Sequence, residues 1–234
     1  MLPTKDLRPP VIGPSPEKVT ARIVGALFLT AIAAYATGNG LIQSVSRGDY
    51  LASVSLHGMQ VRLGVLLMLL NSGVVVAIGV LMFPVLKKHG EPMALGYVAT
   101  RIIESAILIV GSTRLLSLIT LSAEYTKGGA TEARYFRALG SLAIRGHYFS
   151  YQIAMAVLGA GSVGFCLLLY RSKMIPRFIS AWGVIGYAAL MAGALCEISG
   201  LGVGLALSIP GGLFEIALPL WLFARGFRPA AVPS

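Results

Sequence analysis

At 234 residues the chain has the length of one ordinary domain, but 56% hydrophobic residues, 12% charged residues and a mean hydropathy of +0.80 depart from the soluble mix of about half apolar and a quarter charged. The net charge of +10 comes from 19 Lys and Arg against 9 Asp and Glu, and the basic residues flank apolar runs instead of forming a face. Composition therefore excludes a soluble nucleic-acid-binding domain and predicts an all-α, polytopic membrane helix bundle.

In chain order, residues 1–20 carry Pro3, Pro9, Pro10, Pro14 and Pro16 and read as an extended or disordered cytoplasmic tail. Six apolar segments follow, each near the ~20 residues needed to cross a ~30 Å hydrocarbon core. They run roughly over 21–43, 62–84, 93–121, 147–170, 178–199 and 205–225, within a six-helix transmembrane domain over 21–228 and ahead of a short tail at 229–234. The first ends in A-A-Y-A-T-G, small residues of the kind that precede a signal-peptide cut. The stretch P-P-V-I-G-P-S-P before it makes an unusually long leader, so the segment is expected to be retained. Segment three is long enough to tilt or protrude, and Pro210-Gly211-Gly212 interrupts segment six. With the N-terminus cytoplasmic, eleven Lys and Arg fall inside and six outside, which favours both termini inside a multi-pass protein of the plasma membrane.

Cys166 and Cys196 sit near opposite ends of their segments, too far apart in depth to bridge. The sequence has no Cys-x-x-Cys and no His-x-x-x-His, and only His57, His89 and His147, so neither a metal site nor a cofactor is predicted. G-A-G-S-V-G, Gly159 to Gly164, matches the G-x-G-x-x-G dinucleotide pattern, but it lies mid-way through an apolar run without the strand and turn that pattern needs. Small residues so spaced, like Gly183 with Gly186, instead let helices approach closely in lipid.

A charged side chain at the centre of a transmembrane helix costs about 2.5–3.5 kcal/mol on insertion scales, so it is expected to face a partner, a cavity or the interface. Counting the helical rise places Arg101 about 12 Å deep, Glu104 about 16 Å, Glu215 about 15 Å and Asn71 about 20 Å, all in one central layer. Arg101 and Glu104 are i and i+3, so they share a face and form a candidate intramembrane ion pair, with Glu215 offering the guanidinium a second carboxylate. Two acids against one buried cation leave a net negative cluster unless one holds a proton, which makes Glu104, Glu215 and Arg101 the candidate catalytic residues and Asn71 a ligand contact. Pro219 has no N–H for the Glu215 carbonyl, leaving that oxygen free for a ligand, water or ion. Such pairs also act as structural staples between helices.

A second polar layer lies toward the outer surface: His147, Tyr151, Gln152, Glu197 and Arg114 are further candidate ligand contacts. His147 and Tyr151 share a helix face, and Glu197 is placed to meet Arg114. Headgroup anchoring is the competing role for the Tyr and Arg residues here.

The blocks A-R-I-V-G-A-L-F-L, L-M-F-P-V-L-K-K-H, A-L-G-Y-V-A-T-R-I-I-E-S, L-L-L-Y-R-S-K-M-I-P-R-F-I-S-A-W-G-V-I-G and G-G-L-F-E-I-A-L-P-L-W-L resemble the bacterial domain-of-unknown-function 4386 family, from about residue 20 to 227. The resemblance implies a bacterial inner-membrane protein of about six or seven helices, with Arg101, Glu104 and Glu215 at matching family positions. It implies no activity. The outer stretches G-D-Y-L-A-S-V-S-L-H and E-Y-T-K-G-G-A-T-E-A-R-Y-F-R-A-L fall outside the blocks that carry it.

Three function classes stay open. One is binding or acid–base conversion of a lipophilic small molecule, such as isomerisation or cyclisation of a polyprenyl or lipid-like substrate. A small-solute or proton-coupled transporter is the second, supported by the interrupted sixth segment and the repeated Gly-Tyr at Gly96-Tyr97 and Gly186-Tyr187. The third is a structural or regulatory membrane subunit. Expected partners are membrane lipids and a lipophilic ligand, without nucleic acid and with homo-oligomerisation allowed.

Overall fold

Pro16 opens the first helix, in the first turn where its missing N–H costs no helical hydrogen bond, and Glu17 follows where the helix dipole favours an acid. The computed structural model describes residues 16–46, 48–127 and 132–228. The expected tail as far as residue 15, Arg47 and the expected C-terminal tail lie outside them. Among the described residues six helices follow in order: α1 (Pro16–Val45), α2 (Tyr50–Leu56), α3 (Gly58–Lys127), α4 (Ala133–Ser172), α5 (Arg177–Ile198) and α6 (Gly204–Arg225). There is no strand among the described residues.

α3 joins the second and third expected segments into one bent element. At Gly90 the backbone takes φ 164°, ψ 93°, and the helix resumes through Pro92. Pro92 lacks the N–H that residue 88 would need, and it biases Glu91 away from helical geometry, so the break falls where a loop over 85–92 was expected. It is shorter than expected because proline fits the first turn of the second arm. α1, α3, α4, α5 and α6 are long and apolar enough to cross a membrane, and the two arms of α3 make the crossings six. The chain is a polytopic helical bundle.

Three helix boundaries differ from those expected. α1 begins five residues before the expected start. The outer stretch after Asp49 contains a short helix, α2, which buries Leu51 and Val54. α4 begins at Ala133, well before residue 147, and its 40 residues span about 60 Å, twice the ~30 Å hydrocarbon core. α2 is tied to this extension: the Tyr50 hydroxyl donates to the Arg137 carbonyl at 2.7 Å, and Arg137 donates to the Tyr125 hydroxyl at 2.8 Å.

The bundle is apolar outside as well as inside. Leu66, Leu70, Ile102, Ile103, Leu213 and Leu220 are exposed, a pattern suited to lipid contact. Inside, glycines set the helix spacing. A Cβ on Gly186 would come 2.9 Å from Gly211 Cα, and one on Gly38 would come 2.7 Å from the Gly64 carbonyl oxygen. The glycine-rich motif of α4 serves the same end: a Cβ on Gly159 would press on the Tyr187 carbonyl at 2.8 Å, while Gly161 receives Thr100 of α3. α6 runs unbroken through Pro210 and Pro219, contrary to the interruption read from Pro210-Gly211-Gly212. The Pro210 carbonyl accepts the indole N–H of Trp182 on α5 at 3.1 Å.

The start of α1 and the end of α6 meet at one face. Lys88 pairs with Glu17 at 3.0 Å, Lys18 lies beside Gly226, and the Arg228 N–H donates to the Met174 carbonyl at 2.9 Å. α2 and the turn between α5 and α6 lie toward the opposite face.

Candidate functional site

Arg101 rests in a groove that the sequence of α3 prepares. Gly79 on the first arm has no Cβ, and one built there would come 3.1 Å from Arg101 Cγ. One turn earlier, the Val75 carbonyl accepts the Arg101 Nε–H at 3.3 Å. Arg101 Nη1 lies 3.0 Å from Glu104 Oε2, with both side chains about 3% exposed. That contact is a charge pair without hydrogen-bond alignment, since neither atom has a hydrogen-bond partner. The guanidinium also stands 5.9 Å from the centre of the Tyr97 ring.

Asn71 lies one turn before Val75, on the same face of the first arm. It is only 6% exposed, and its carboxamide makes no hydrogen bond among the described residues. Glu215 arrives from α6, where its Oε1 accepts the Tyr187 hydroxyl of α5 at 2.9 Å. Tyr187 is itself fixed edge-on against Phe214 at 5.5 Å.

Asn71, Arg101, Glu104 and Glu215 line one cavity of about 320 Å³, whose remaining walls are largely apolar and aromatic. Ala36 of α1 and Gly212 and Ile216 of α6 are among its lining residues and are exposed. The rim therefore faces lipid between α1 and α6.

A second cavity of about 450 Å³ lies toward the α5–α6 turn and includes His147, Tyr148, Gln152 and Glu197 in its walls. Tyr35, Tyr151 and Met155 line both spaces. The rings of Tyr35 and Tyr151 stack at 5.3 Å with 19° between their planes, forming a septum between the chambers.

The central layer expected from helical rise is thus assembled around one space, while the outer layer divides. His147 and Gln152 reach the outer chamber, and Tyr151 reaches both. The His147 ring presses on Gly111 of α3, and its Nδ1 has no hydrogen-bond partner. Glu197 does not meet Arg114. It accepts the Tyr148 hydroxyl on one oxygen and the N–H of Gly204 on the other, the latter at 2.6 Å, so it caps the first turn of α6. Arg114 lies along Gly146 of α4 and lines neither chamber. Tyr35, Tyr97 and Tyr187 went unread as site residues, because a tyrosine within an apolar run gives no sign of what its hydroxyl meets. The Gly-Tyr pairs at 96–97 and 186–187 were the available signal.

Six membrane crossings around two largely apolar chambers that each hold a few polar side chains define a polytopic helical membrane protein with an internal site. The model of the family described as Domain of unknown function (DUF4386) matches residues 23–226, and the chain belongs to that family. Neither the curated proteins nor the solved structures yield a match.

Proposed function

We propose that the protein binds a lipophilic small molecule in the central cavity and converts it by acid–base chemistry. The observation that carries this reading is the convergence of Asn71, Arg101, Glu104 and Glu215, from three membrane segments, on one apolar-walled space whose rim faces lipid. Arg101 offsets the charge of Glu104, and Glu215, held by the Tyr187 hydroxyl, is the group that gives and takes a proton. Asn71 supplies a free donor and acceptor for orientation. An isomerase- or cyclase-like reaction on a polyprenyl or lipid-like molecule requires no more than these groups and exclusion of water.

The membrane assigned is a bacterial inner membrane, with the face that carries Lys18, Arg22, Lys88, Arg225 and Arg228 in the cytoplasm and both termini on that side. A second reading, a small-solute or proton-coupled transporter, is favoured by one observation: two chambers in series separated by an aromatic septum.

The test is a density map and a mass spectrum of the protein purified with its native lipids, beside the Gly212→Phe variant. Gly212 lines the cavity at its rim and a Cβ there meets nothing within 4 Å, so a ring can be added at the cavity mouth without displacing the helix. Bound lipophile next to Glu104 or Glu215, lost in Gly212→Phe, is the expected result. A dry, closed contact among Arg101 and both acids would leave the charges as a helix staple and overturn the proposal. Uptake of a solute by proteoliposomes, abolished by the same variant, would move the assignment to transport.

A further inference from the structure

With Glu104 and Glu215 both ionised, the charges of the central cavity would not balance, so without a positive partner Glu215 holds its proton. Arg101 is spent on Glu104 and on the Val75 carbonyl, and among the described residues Glu104 is the one carboxylate it pairs with. The other titratable groups around Glu215 are the hydroxyls of Tyr35, Tyr97, Tyr151 and Tyr187 and the Cys166 thiol, and none of these supplies a positive charge. Glu215 therefore stands at the cavity wall with a phenol donor on one oxygen and, among the described residues, no cation in ion-pair contact, Arg101 acting on it only from a longer range.

The surroundings favour a positive partner in two further ways. Tyr35, Tyr151 and Phe28 line the same space, and aromatic faces attract a cation most strongly once water is removed. Asn71, buried and without a partner, offers its carbonyl oxygen as a second acceptor for an N–H. An anionic headgroup would instead bring a negative charge that no unpaired cation of the cavity offsets, in a low-dielectric site.

We infer that the cavity takes a lipophilic amine, bound as its ammonium ion against Glu215. This rests on the ligand-binding reading above and names the chemical class of the ligand. The amine reaches the rim from lipid as its neutral base. Its nitrogen lone pair accepts the proton of the Glu215 carboxyl group, giving an N–H⁺ and a carboxylate, so the net charge in the membrane is unchanged. The ion pair then forms where the Tyr187 hydroxyl and the Asn71 amide already stand.

Three cage compounds of one shape and different charge test this: 1-adamantylamine, 1-adamantanol and 1-adamantanecarboxylate, titrated at neutral pH into the full-length protein in lipid nanodiscs, with Gly212→Phe as the blocked cavity. The amine is expected to bind at least about tenfold tighter than the alcohol, the scale of a buried hydrogen bond to a charged group, with the carboxylate weakest. In Glu215→Gln the amine-to-alcohol ratio is expected to fall to about one. If Glu215→Gln does not fold, the contrast on the unmodified protein decides alone. Equal binding of amine and alcohol, or preference for the carboxylate, overturns the amine assignment while leaving the cavity a binding site. Binding of none of the three, or binding unaffected by Gly212→Phe, removes the ligand-binding reading and the amine assignment with it.

Discussion

Tyr35 of α1 and Tyr151 of α4 stack at 5.3 Å across the line where two chambers meet, so each ring belongs to both spaces. Removing one ring is expected to join the chambers. In a Gly212→Cys variant with Cys166 and Cys196 replaced by alanine, adding Tyr35→Ala is expected to raise the rate at which a polar maleimide, applied from the side of the α5–α6 turn, labels the new cysteine. An unchanged rate would mean that the central cavity is reached from the lipid side alone.

The Arg101–Glu104 contact makes a stability prediction. Both residues are 2% exposed, and removing one partner strands the other's charge in the interior, which typically costs about 3–5 kcal/mol. Glu104→Ala should destabilise the protein on that scale in a denaturant or steric-trapping measurement. The double variant Arg101→Met/Glu104→Leu should recover most of the loss, since replacing a buried pair by apolar groups of similar volume is often neutral. A Glu104→Ala protein as stable as the parent would show that Arg101 is not confined as described.

Glycines at helix contacts and glycines facing outward should respond oppositely to a side chain. Gly186→Val drives carbons into the backbone of Gly211 and the Pro210 carbonyl and should cost about 1–3 kcal/mol by overpacking. Gly73→Ala, in mid-helix with open space around its Cβ, should be neutral or stabilising by up to about 1 kcal/mol. Thermal unfolding of the two variants checks both signs at once.

Glu197 holds the first N–H of α6 and the Tyr148 hydroxyl together. Glu197→Ala should speed hydrogen exchange at the amides of Gly204 to Leu207 while leaving those of α3 unchanged. Equal protection in parent and variant would mean that the turn satisfies these groups without the carboxylate.

Much of this arrangement was legible in the sequence because a bilayer imposes lengths. Six apolar runs give six crossings, and counting the rise from each helix end was enough to bring Asn71, Arg101, Glu104 and Glu215 to one depth. Depth says nothing about which neighbours meet laterally, so Glu197 was matched to Arg114 while its real partners, Tyr148 and Gly204, depend on how α5 turns into α6. The join at Gly90 looks like a loop in the sequence because proline and glycine mark both turns and kinks. Tyr35 and Tyr187 carry no charge, so neither announced itself as Arg101 did. α2, at seven residues, is too short for a periodic signal and forms because Leu51 and Val54 find the core.

Thr100 sits in the notch left by Gly161, one residue from Arg101 on α3 and ten from Tyr151 on α4. Neither Thr100 nor Gly161 lines the cavity, yet their contact fixes how far α4 is slid along α3, and with it the distance from the septum to the guanidinium. A slip by one helical turn would carry Tyr151 about 5.4 Å along the helix axis, a large step in a space of this size. The chamber's dimensions are thus inherited from a small-residue joint outside its walls, so substitutions at Gly161 should alter which molecules fit without touching any group that meets them.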